Sequence, residues 1–172
     1  PGDFKNYPNR IKQDSQLLAS LGCDVLFAPP DEVMYPSSAT LKFDFGELES
    51  GMEGNFRPGH FSGVGLVVSK LFNIVMPDRA YFGQKDIQQC AVIEQLVKDL
   101  NFPLEVRVVP TVRDENGLAL SSRNLRLTNE QRLVASGIYE SLCKARNLLL
   151  HGSKSIEEVR RTTTAWFNNH DI

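Results

Sequence analysis

The 172-residue sequence lacks the cysteine and histidine patterns that mark disulfide-bonded or zinc-binding proteins. Its three cysteines, Cys23, Cys90 and Cys143, are widely spaced, and the sequence contains no C-x-x-C pair. This spacing predicts reduced thiols rather than a disulfide framework or a cysteine zinc site. The three histidines are also far apart along the chain, which argues against a zinc site built on histidine.

Long apolar runs and a large excess of one charge are missing as well. No stretch approaches the ~20 apolar residues of a membrane-spanning helix, and no signal peptide is recognisable. The net charge is −2 and the basic residues are scattered, which argues against a nucleic-acid-binding surface. With 41% hydrophobic and 23% charged residues, the composition predicts a cytoplasmic globular protein without nucleic-acid or membrane partners.

Three common catalytic signatures are also missing. The glycines at 59, 63 and 65 do not fit the dinucleotide fingerprint G-x-G-x-x-G. Neither the phosphate-binding motif G-x-x-x-x-G-K-[ST] nor the hydrolase motif G-x-S-x-G occurs. Any phosphate or nucleotide site in this chain must therefore be built differently.

The segments that are present alternate between helical and strand-like patterns, which predicts an α/β fold with a mainly parallel sheet. An apolar stripe at helical spacing runs through 61–75, from Phe61 to Val75. We predict helices at 8–21, 61–75 and 86–100, strands at 24–28, 41–45, 78–83 and 104–112, a loop with one helical turn at 29–36, and a glycine-rich loop at 46–60.

The pattern becomes helical from residue 128 onward. Thr128 and Gln131 fit a capping box that starts a helix reaching about residue 150, and Ser155 and Glu158 fit a second one. We predict an α/β domain over 1–114, a linker over 115–127 and a mainly helical domain over 128–172.

The first candidate site is YFGQKDIQQC, residues 81–90, where a strand runs into a helix. On a helical wheel Gln89 lies on the apolar face one turn before Ile93, with Lys85 just upstream on the same side. Such a helix start lies at the carboxyl edge of a parallel sheet, where ligands bind and free N–H groups attract anions. The structural alternative is a capping Asp86, a solvated Lys85 and a backbone-bonded Gln89.

The second candidate site is NFRPGHFSGVG, in which Arg57 precedes His60 by three residues at a helix start. A histidine and an arginine at that position suit an anionic ligand. Lys70 lies further along the same helix, off the apolar stripe. The structural alternative is a helix-end histidine that is hydrogen-bonded to the loop.

The third candidate site is LALSSRN, residues 118–124, which follows the turn signal ENG. Ser121, Ser122 and Arg123 supply two hydroxyls and a guanidinium, a set that suits phosphate binding. The structural alternative is an ordinary polar linker. Taken together, the three candidates predict an enzyme that acts on a nucleotide or a phosphorylated ligand.

Long segments of the sequence resemble one known family. RPGHFSGV, VVSKLFNIVMPDRAYFGQKDIQQCAVI and VPTVRDENGLALSSRN are closely similar to the pantoate–β-alanine ligase (pantothenate synthetase) family, and YPNR and LGCDVLFAPPDEVMYP match it too. The resemblance covers residues 1 to about 150. It implies a Rossmann-like nucleotidyltransferase domain, ATP as a substrate with Mg²⁺, and a homodimer. The implied reaction joins pantoate to β-alanine through pantoyl adenylate.

The resemblance also implies roles for individual residues. Gly83–Asp86, with Gln84 in place of the family's usual glutamate, corresponds to the ATP-binding segment, in which Gly83 and Asp86 hold the ribose and Lys85 acts on the phosphates as the catalytic cation. Gln89 corresponds to a pantoate ligand and Val112 to a backbone contact with adenine. Leu120–Arg123 corresponds to a phosphate-gripping loop. The resemblance gives Arg57, His60 and Lys70 less defined positions in the pocket wall.

Two motifs of the family are not found in these residues. They are the H-x-G-H helix start, whose histidines engage ATP, and a glutamine segment that completes the pantoate site. We therefore expect a central fragment of the enzyme, with little or no ligase activity and marginal stability by itself. The alternatives are another adenylyl-transferring enzyme of the same superfamily and an inert nucleotide-binding domain.

Overall fold

A computed structural model of the chain describes residues 10–152 and 155–169. They form two compact units, one comprising Ile11–Pro110 and the other containing the described residues from Thr111 onward. Within the described ranges, no helix is long and apolar enough to cross a membrane.

The helices are α1 Ile11–Ser20, α2 Asp31–Met34, α3 Met52–Phe56, α4 His60–Val75, α5 Ile87–Asp99, α6 Asn129–His151 and α7 Ile156–Asn168. The strands are β1 Arg79–Gly83 and β2 Glu105–Val109. Short 3₁₀ turns occupy Gly46–Glu49, Gln84–Asp86 and Ser122–Arg126. The predicted helices and the strands at 78–83 and 104–112 are confirmed, except that residues 8 and 9 lie outside the described ranges.

β1 and β2 pair in parallel, in a register that runs from Arg79 opposite Glu105 to Gly83 opposite Val109. Parallel strands cannot be joined by a tight hairpin, and α5 supplies the crossover connection between them. This β–α–β arrangement confirms the prediction of an α/β fold with a parallel sheet. It also places the start of α5 immediately after the carboxyl end of β1.

The core of the first unit is formed where α4 packs against α5. Val68 and Phe72 from α4 meet Ile93 and Leu96 from α5, and all four are buried. The Phe72 ring also makes an edge contact with Phe82 of β1, at 6.4 Å between ring centroids. Each buried side chain of this size contributes about 1.5–3 kcal/mol of transfer free energy, so this cluster stabilises the crossover.

Gly65 allows α4 to be approached closely by an aromatic pair. A Cβ atom at this position would lie 2.9 Å from the ring of Phe45 and 3.1 Å from that of Phe43. Packing against these two rings therefore explains Gly65, one of the three glycines that do not fit a dinucleotide fingerprint.

The structure contradicts the predicted strands at 24–28 and 41–45. Within the described residues neither segment forms a ladder, and Val25 is 78% exposed. A strand requires a partner for its backbone groups, which the apolar pattern of 24–28 does not guarantee. In 41–45 the alternating Phe43 and Phe45 pack on α4, and the Phe43 N–H donates to Ser62 Oγ at 2.9 Å.

Two further predictions are corrected by the structure. The loop predicted at 46–60 contains the 3₁₀ turn Gly46–Glu49 and helix α3, because local hydrogen bonds wind it tightly. Val75, which ends the predicted apolar stripe of 61–75, is 52% exposed, and Leu100, the last residue of the helix predicted at 86–100, is 49% exposed. Both lie at the C-terminal end of their helix, beyond the α4–α5 cluster.

In the second unit the helices start where the sequence predicted. Thr128 and Gln131 form a complete capping box at the start of α6, and Ser155 and Glu158 form one at the start of α7. A Cβ atom at Gly137 of α6 would lie 2.5 Å from the Trp166 ring of α7. The missing side chain therefore lets the two helices pack closely.

We expect Ile93→Ala to lower the free energy of unfolding of the Ile11–Pro110 unit by about 2–5 kcal/mol, because it leaves a cavity at a fully buried position. Urea unfolding followed by the fluorescence of a tyrosine in this unit measures the change. Leu100→Ala removes similar apolar bulk from a half-exposed site and should cost much less. Equal losses for the two variants would contradict the assignment of the core.

Candidate functional site

The junction between β1 and α5 leaves two opposite charges exposed. Asp86 occupies the N-cap position of α5, but its side chain makes no capping hydrogen bond. Lys85 Nζ lies 3.4 Å from Asp86 Oδ1, and both side chains are well exposed. A surface pair of this kind is worth about 0–1 kcal/mol, so it holds neither group firmly. The ammonium and the carboxylate can therefore both turn toward a ligand at the helix start.

Gln89 lies one turn into α5 and is half-buried, as the helical wheel predicted. Among the described residues its amide has no hydrogen-bond partner. The alternative in which Gln89 is bonded to backbone is therefore not what the structure shows. The amide has donors and an acceptor free for a small polar ligand.

Cys90 follows Gln89 and ties the helix back to β1. Its thiol donates to the Gly83 carbonyl at 3.3 Å. Burial, and then the carboxylates of Glu94 and Asp86, raise the pKa of the Cys90 thiol. The residue therefore stays protonated near neutral pH and acts as a structural donor rather than a nucleophile.

Arg57 and His60 meet at the start of α4, in contact with Glu53. The Arg57 guanidinium pairs with the Glu53 carboxylate, and Arg57 Nη1 lies 3.1 Å from His60 Nε2. A guanidinium can only donate, so Nε2 accepts and the imidazole carries its proton on Nδ1. We call these three residues the Glu53–Arg57–His60 cluster.

The surroundings of His60 favour its neutral form. Burial first, and the Arg57 charge second, lower the pKa of His60 below 6.5, while Glu53 and Asp86 act in the opposite direction. Gln88, in the first turn of α5, accepts the Glu53 N–H at 3.0 Å and so joins the cluster to the start of that helix. The cluster and the β1–α5 junction thus belong to one polar region of the Ile11–Pro110 unit.

Gln88 is a residue of this region that the sequence reasoning missed. Its side-chain amide donates to the carbonyls of Leu48 and Gly51, each at 2.8 Å, and accepts from the Glu53 N–H at 3.0 Å. Gln88 precedes the fully buried Val92 by one helical turn. The helical wheel of α5 therefore also places Gln88 beside the apolar face, and this position is the sequence signal for it.

Lys70 lies apart from the other predicted residues of this unit. It is ten residues beyond His60 in α4, which corresponds to about 15 Å along a helix axis. Its ammonium donates to the Met34 carbonyl and lies 4.7 Å from the centre of the Tyr35 ring. It lines an open groove of about 550 Å³ with residues of α2 and α4, and the structure does not bring it to His60.

In the second unit, residues 112–120 form a tight turn. The Leu120 N–H donates to the Val112 carbonyl at 2.9 Å, and Arg113 pairs with Ala119 as an antiparallel bridge. Arg113 also lies over the Tyr139 ring, at 3.9 Å from its centre. The side chains of Val112 and Leu120 remain exposed, so the turn holds their backbones while leaving them accessible.

The polar segment Leu120–Arg123 follows directly on this turn. Ser121 caps the 3₁₀ turn Ser122–Arg126 by accepting the Arg123 N–H at 3.3 Å. Asn124 Nδ2 donates to the Ala119 carbonyl at 2.9 Å, which anchors the far end of the segment. The segment is therefore a capped turn that presents hydroxyl and guanidinium groups rather than an extended linker.

The described part of the chain contains no cluster of three or more Asp, Glu, His or Cys side chains that could hold a metal ion. The polar groups of the two units are instead suited to anions and to neutral polar ligands. They provide cationic side chains, a helix start and uncommitted amide groups.

Comparison with known proteins shows extensive similarity to one family. The sequence model described as Pantoate-beta-alanine ligase matches residues 1–172. A pantothenate synthetase of Cytophaga hutchinsonii is 45% identical over 168 residues, covering 98% of this chain and 59% of its own length. One of Acinetobacter baumannii is 55% identical over 161 residues, covering 92% of this chain and 57% of its own length.

Solved structures agree with the sequence matches. The crystal structure of pantothenate synthetase from Thermus thermophilus superimposes with a TM-score of 0.91 at 45% identity, covering 97% of this chain and 60% of that one. Pantoate-beta-alanine ligase from Francisella tularensis, complexed with beta-gamma ATP and beta-alanine, gives 0.80 at 41% identity, covering 96% and 61%. The chain thus spans about three fifths of the length of these relatives, and with all of its residues matched by the family model it belongs to the pantoate–β-alanine ligase family.

Proposed function

We propose that the chain carries ATP- and pantoate-binding parts of an enzyme that condenses pantoate with β-alanine to pantothenate. In this reaction the pantoate carboxylate attacks the α-phosphate of ATP, giving pantoyl adenylate and pyrophosphate. The β-alanine amine then displaces AMP. The observation that carries the proposal is the family match along the whole chain, supported by a relative whose structure is complexed with beta-gamma ATP and beta-alanine.

The segment Gly83–Asp86, which includes Gln84, is proposed to bind ATP, with Gly83 and Asp86 at the ribose and Lys85 on the phosphates. Lys85 is proposed as the catalytic cation because its ammonium is held only by a weak surface pair and stands at a helix start. A positive charge there stabilises the negative charge that develops on the α-phosphate during transfer.

Gln89 is proposed to bind pantoate through its uncommitted amide, one turn further into α5. Arg57 and His60 are proposed to line the same pocket, because their neighbour Glu53 donates its N–H to Gln88 in the first turn of α5. Lys70 was assigned to this pocket from the family resemblance alone. Its contacts with Met34 and Tyr35 favour a role in holding α2 on α4.

Residues of the second unit are also proposed to bind ATP. Val112 would offer backbone groups to adenine, and the exposure of Val112 to solvent fits such a contact. Leu120, Ser121, Ser122 and Arg123 are proposed to grip the phosphates. Their place on a capped turn, next to an anchored hairpin-like turn, supports this role.

Mg²⁺ is proposed to enter bound to the phosphates of ATP. Magnesium commonly takes one or two carboxylates, waters and substrate phosphates, and a dedicated protein cage is not required. No residue of this chain is assigned to the ion. A homodimer and a cytoplasmic location are proposed from the family resemblance, and the free state of Cys23, Cys90 and Cys143 fits a reducing compartment.

A segment replacement tests the proposed function. The part of the Thermus thermophilus enzyme that superimposes on this chain is replaced by these 172 residues, and pantothenate formation from ATP, pantoate and β-alanine is measured. We expect the hybrid to form pantothenate and the 172-residue chain alone to form little or none. A folded hybrid that supports ATP–pyrophosphate exchange with other hydroxy acids, but not with pantoate, would contradict the proposal.

In the same hybrid, we expect Lys85→Ala to lower kcat by about 10²–10³-fold, because it removes a cation from the developing charge. The pantoate KM should change far less. Lys98→Ala serves as the control, because Lys98 is an exposed lysine at the other end of α5. Similar kcat values for Lys85→Ala and Lys98→Ala would argue against the catalytic assignment.

Gln89→Ala should instead raise the pantoate KM about tenfold, because one or two hydrogen bonds to the substrate are lost. The KM for ATP should stay nearly constant. Gln95→Ala, on the same helix, provides the comparison. An unchanged pantoate KM in Gln89→Ala would show that the amide does not meet this substrate.

A further inference from the structure

Residues 46–57, here called segment 46–57, are wound into a compact form that their own conformational preferences do not favour. Met52 has φ = 50°, in the left-handed region that residues with a side chain rarely adopt. A Cβ atom at Gly54 would lie 2.0 Å from the Glu49 carbonyl oxygen. The winding is therefore tight, and it raises the question of which contacts add to the local backbone hydrogen bonds in holding it.

Apolar packing does not supply that support. Most side chains of the segment are exposed, and its two large apolar residues beyond the 3₁₀ turn, Met52 and Phe56, are 65% and 86% exposed. A segment with so little buried apolar surface is held by its hydrogen bonds, and it opens readily when they are lost.

The side chain of Gln88 provides such bonds from the first turn of α5. Its Nε2 donates to the carbonyl of Leu48, which lies in the 3₁₀ turn Gly46–Glu49, and to the carbonyl of Gly51, which directly precedes α3. Its Oε1 accepts the Glu53 N–H, in the first turn of α3. One amide thus joins the 3₁₀ turn, the linking residues and the helix of the segment.

The bond to Glu53 connects this clamp to the candidate site. Glu53 pairs with Arg57 through its carboxylate, and Arg57 contacts the His60 imidazole. On the other side of Gln88, its neighbour Gln89 and the Lys85–Asp86 pair lie at the same end of α5. Gln88 therefore stands between the two groups of polar side chains that the proposed function uses.

We propose that Gln88 is a positioning residue, whose side-chain amide fixes segment 46–57, and with it Arg57 and His60, against the start of α5 where Lys85 and Gln89 lie. The catalytic relevance of this positioning rests on the proposed function. The physical coupling does not, because it can be measured without substrates. A failure of the coupling and a failure of the reaction assignment are therefore distinguishable.

Backbone amide hydrogen exchange tests the first half of the proposal. In Gln88→Leu, which keeps the side-chain bulk but removes three hydrogen bonds, exchange in residues 46–57 should become at least about tenfold faster. Exchange in the middle of α4 should not change. The matched control is Gln95→Leu, the same substitution on the same helix at a residue that bonds only to Asp99 among the described residues.

The titration of His60 tests the positioning itself. Because burial and Arg57 lower the pKa of this imidazole, loosening the segment should move its titration midpoint upward, toward 6.5. Glu53 and Asp86 raise this pKa, and the same loosening weakens their effect, so the midpoint should approach the ordinary value of a histidine. Proton NMR follows the signal, which comparison with His151→Gln and His170→Gln assigns.

In the segment-replacement hybrid, Gln88→Leu should lower kcat and raise the pantoate KM together, whereas Gln95→Leu should change neither. If Gln88→Leu leaves both the exchange of 46–57 and the His60 midpoint as they are, the proposal is wrong. If Gln88→Leu unfolds the chain, as judged by circular dichroism, Gln88→Glu retains the Oε1 acceptor and replaces only the donors. The same two measurements on that variant then decide.

Discussion

The parallel pairing of β1 with β2 is the constraint on which the rest of the first unit depends. Two parallel neighbours require a crossover connection, and α5 can return to the sheet only by starting at the carboxyl end of β1. The N–H groups at that helix start, with Lys85 and Asp86 beside them, therefore face a ligand-accessible edge. The position of the candidate site follows from strand pairing, before any side chain has a specific role. Apolar packing fixes this arrangement from one side, because Ile93 and Leu96 hold α5 against α4.

Gln88 and Gln89 are neighbours in the first turn of α5, but their side-chain amides differ in their hydrogen bonding. The Gln88 amide is fully engaged with backbone groups of segment 46–57, while the Gln89 amide has no partner among the described residues. A buried polar group with satisfied hydrogen bonds gives rigidity. An unengaged amide beside it is available for recognition. Gln88 thus supports the backbone of segment 46–57, whereas the amide of Gln89 is available for a ligand.

The elements that the sequence predicted correctly have signals that are local. Both capping boxes, the apolar stripes of α4 and α5, and the inward position of Gln89 could be predicted because neighbouring residues determine them. The segments 24–28 and 41–45 could not, because a strand depends on a distant partner that an apolar pattern does not specify. Helix α3 was missed because part of its hydrogen bonding is not local: the Glu53 N–H donates to the side chain of Gln88, 35 residues further along the chain. The contacts of Lys70 were not predictable for the same reason, since they join α4 to a short helix 36 residues earlier.

We propose that the start of α5, following β1, forms the ATP site of this chain. A titration of the ¹⁵N-labelled chain with ATP and Mg²⁺, followed through its backbone amide resonances, is the direct test. Progressive shifts are expected in the amides of Gly83–Ile87 as the nucleotide is added. Amides of Gly83–Ile87 that stay unmoved at millimolar ATP, or shifts confined to α6 and α7, would contradict it.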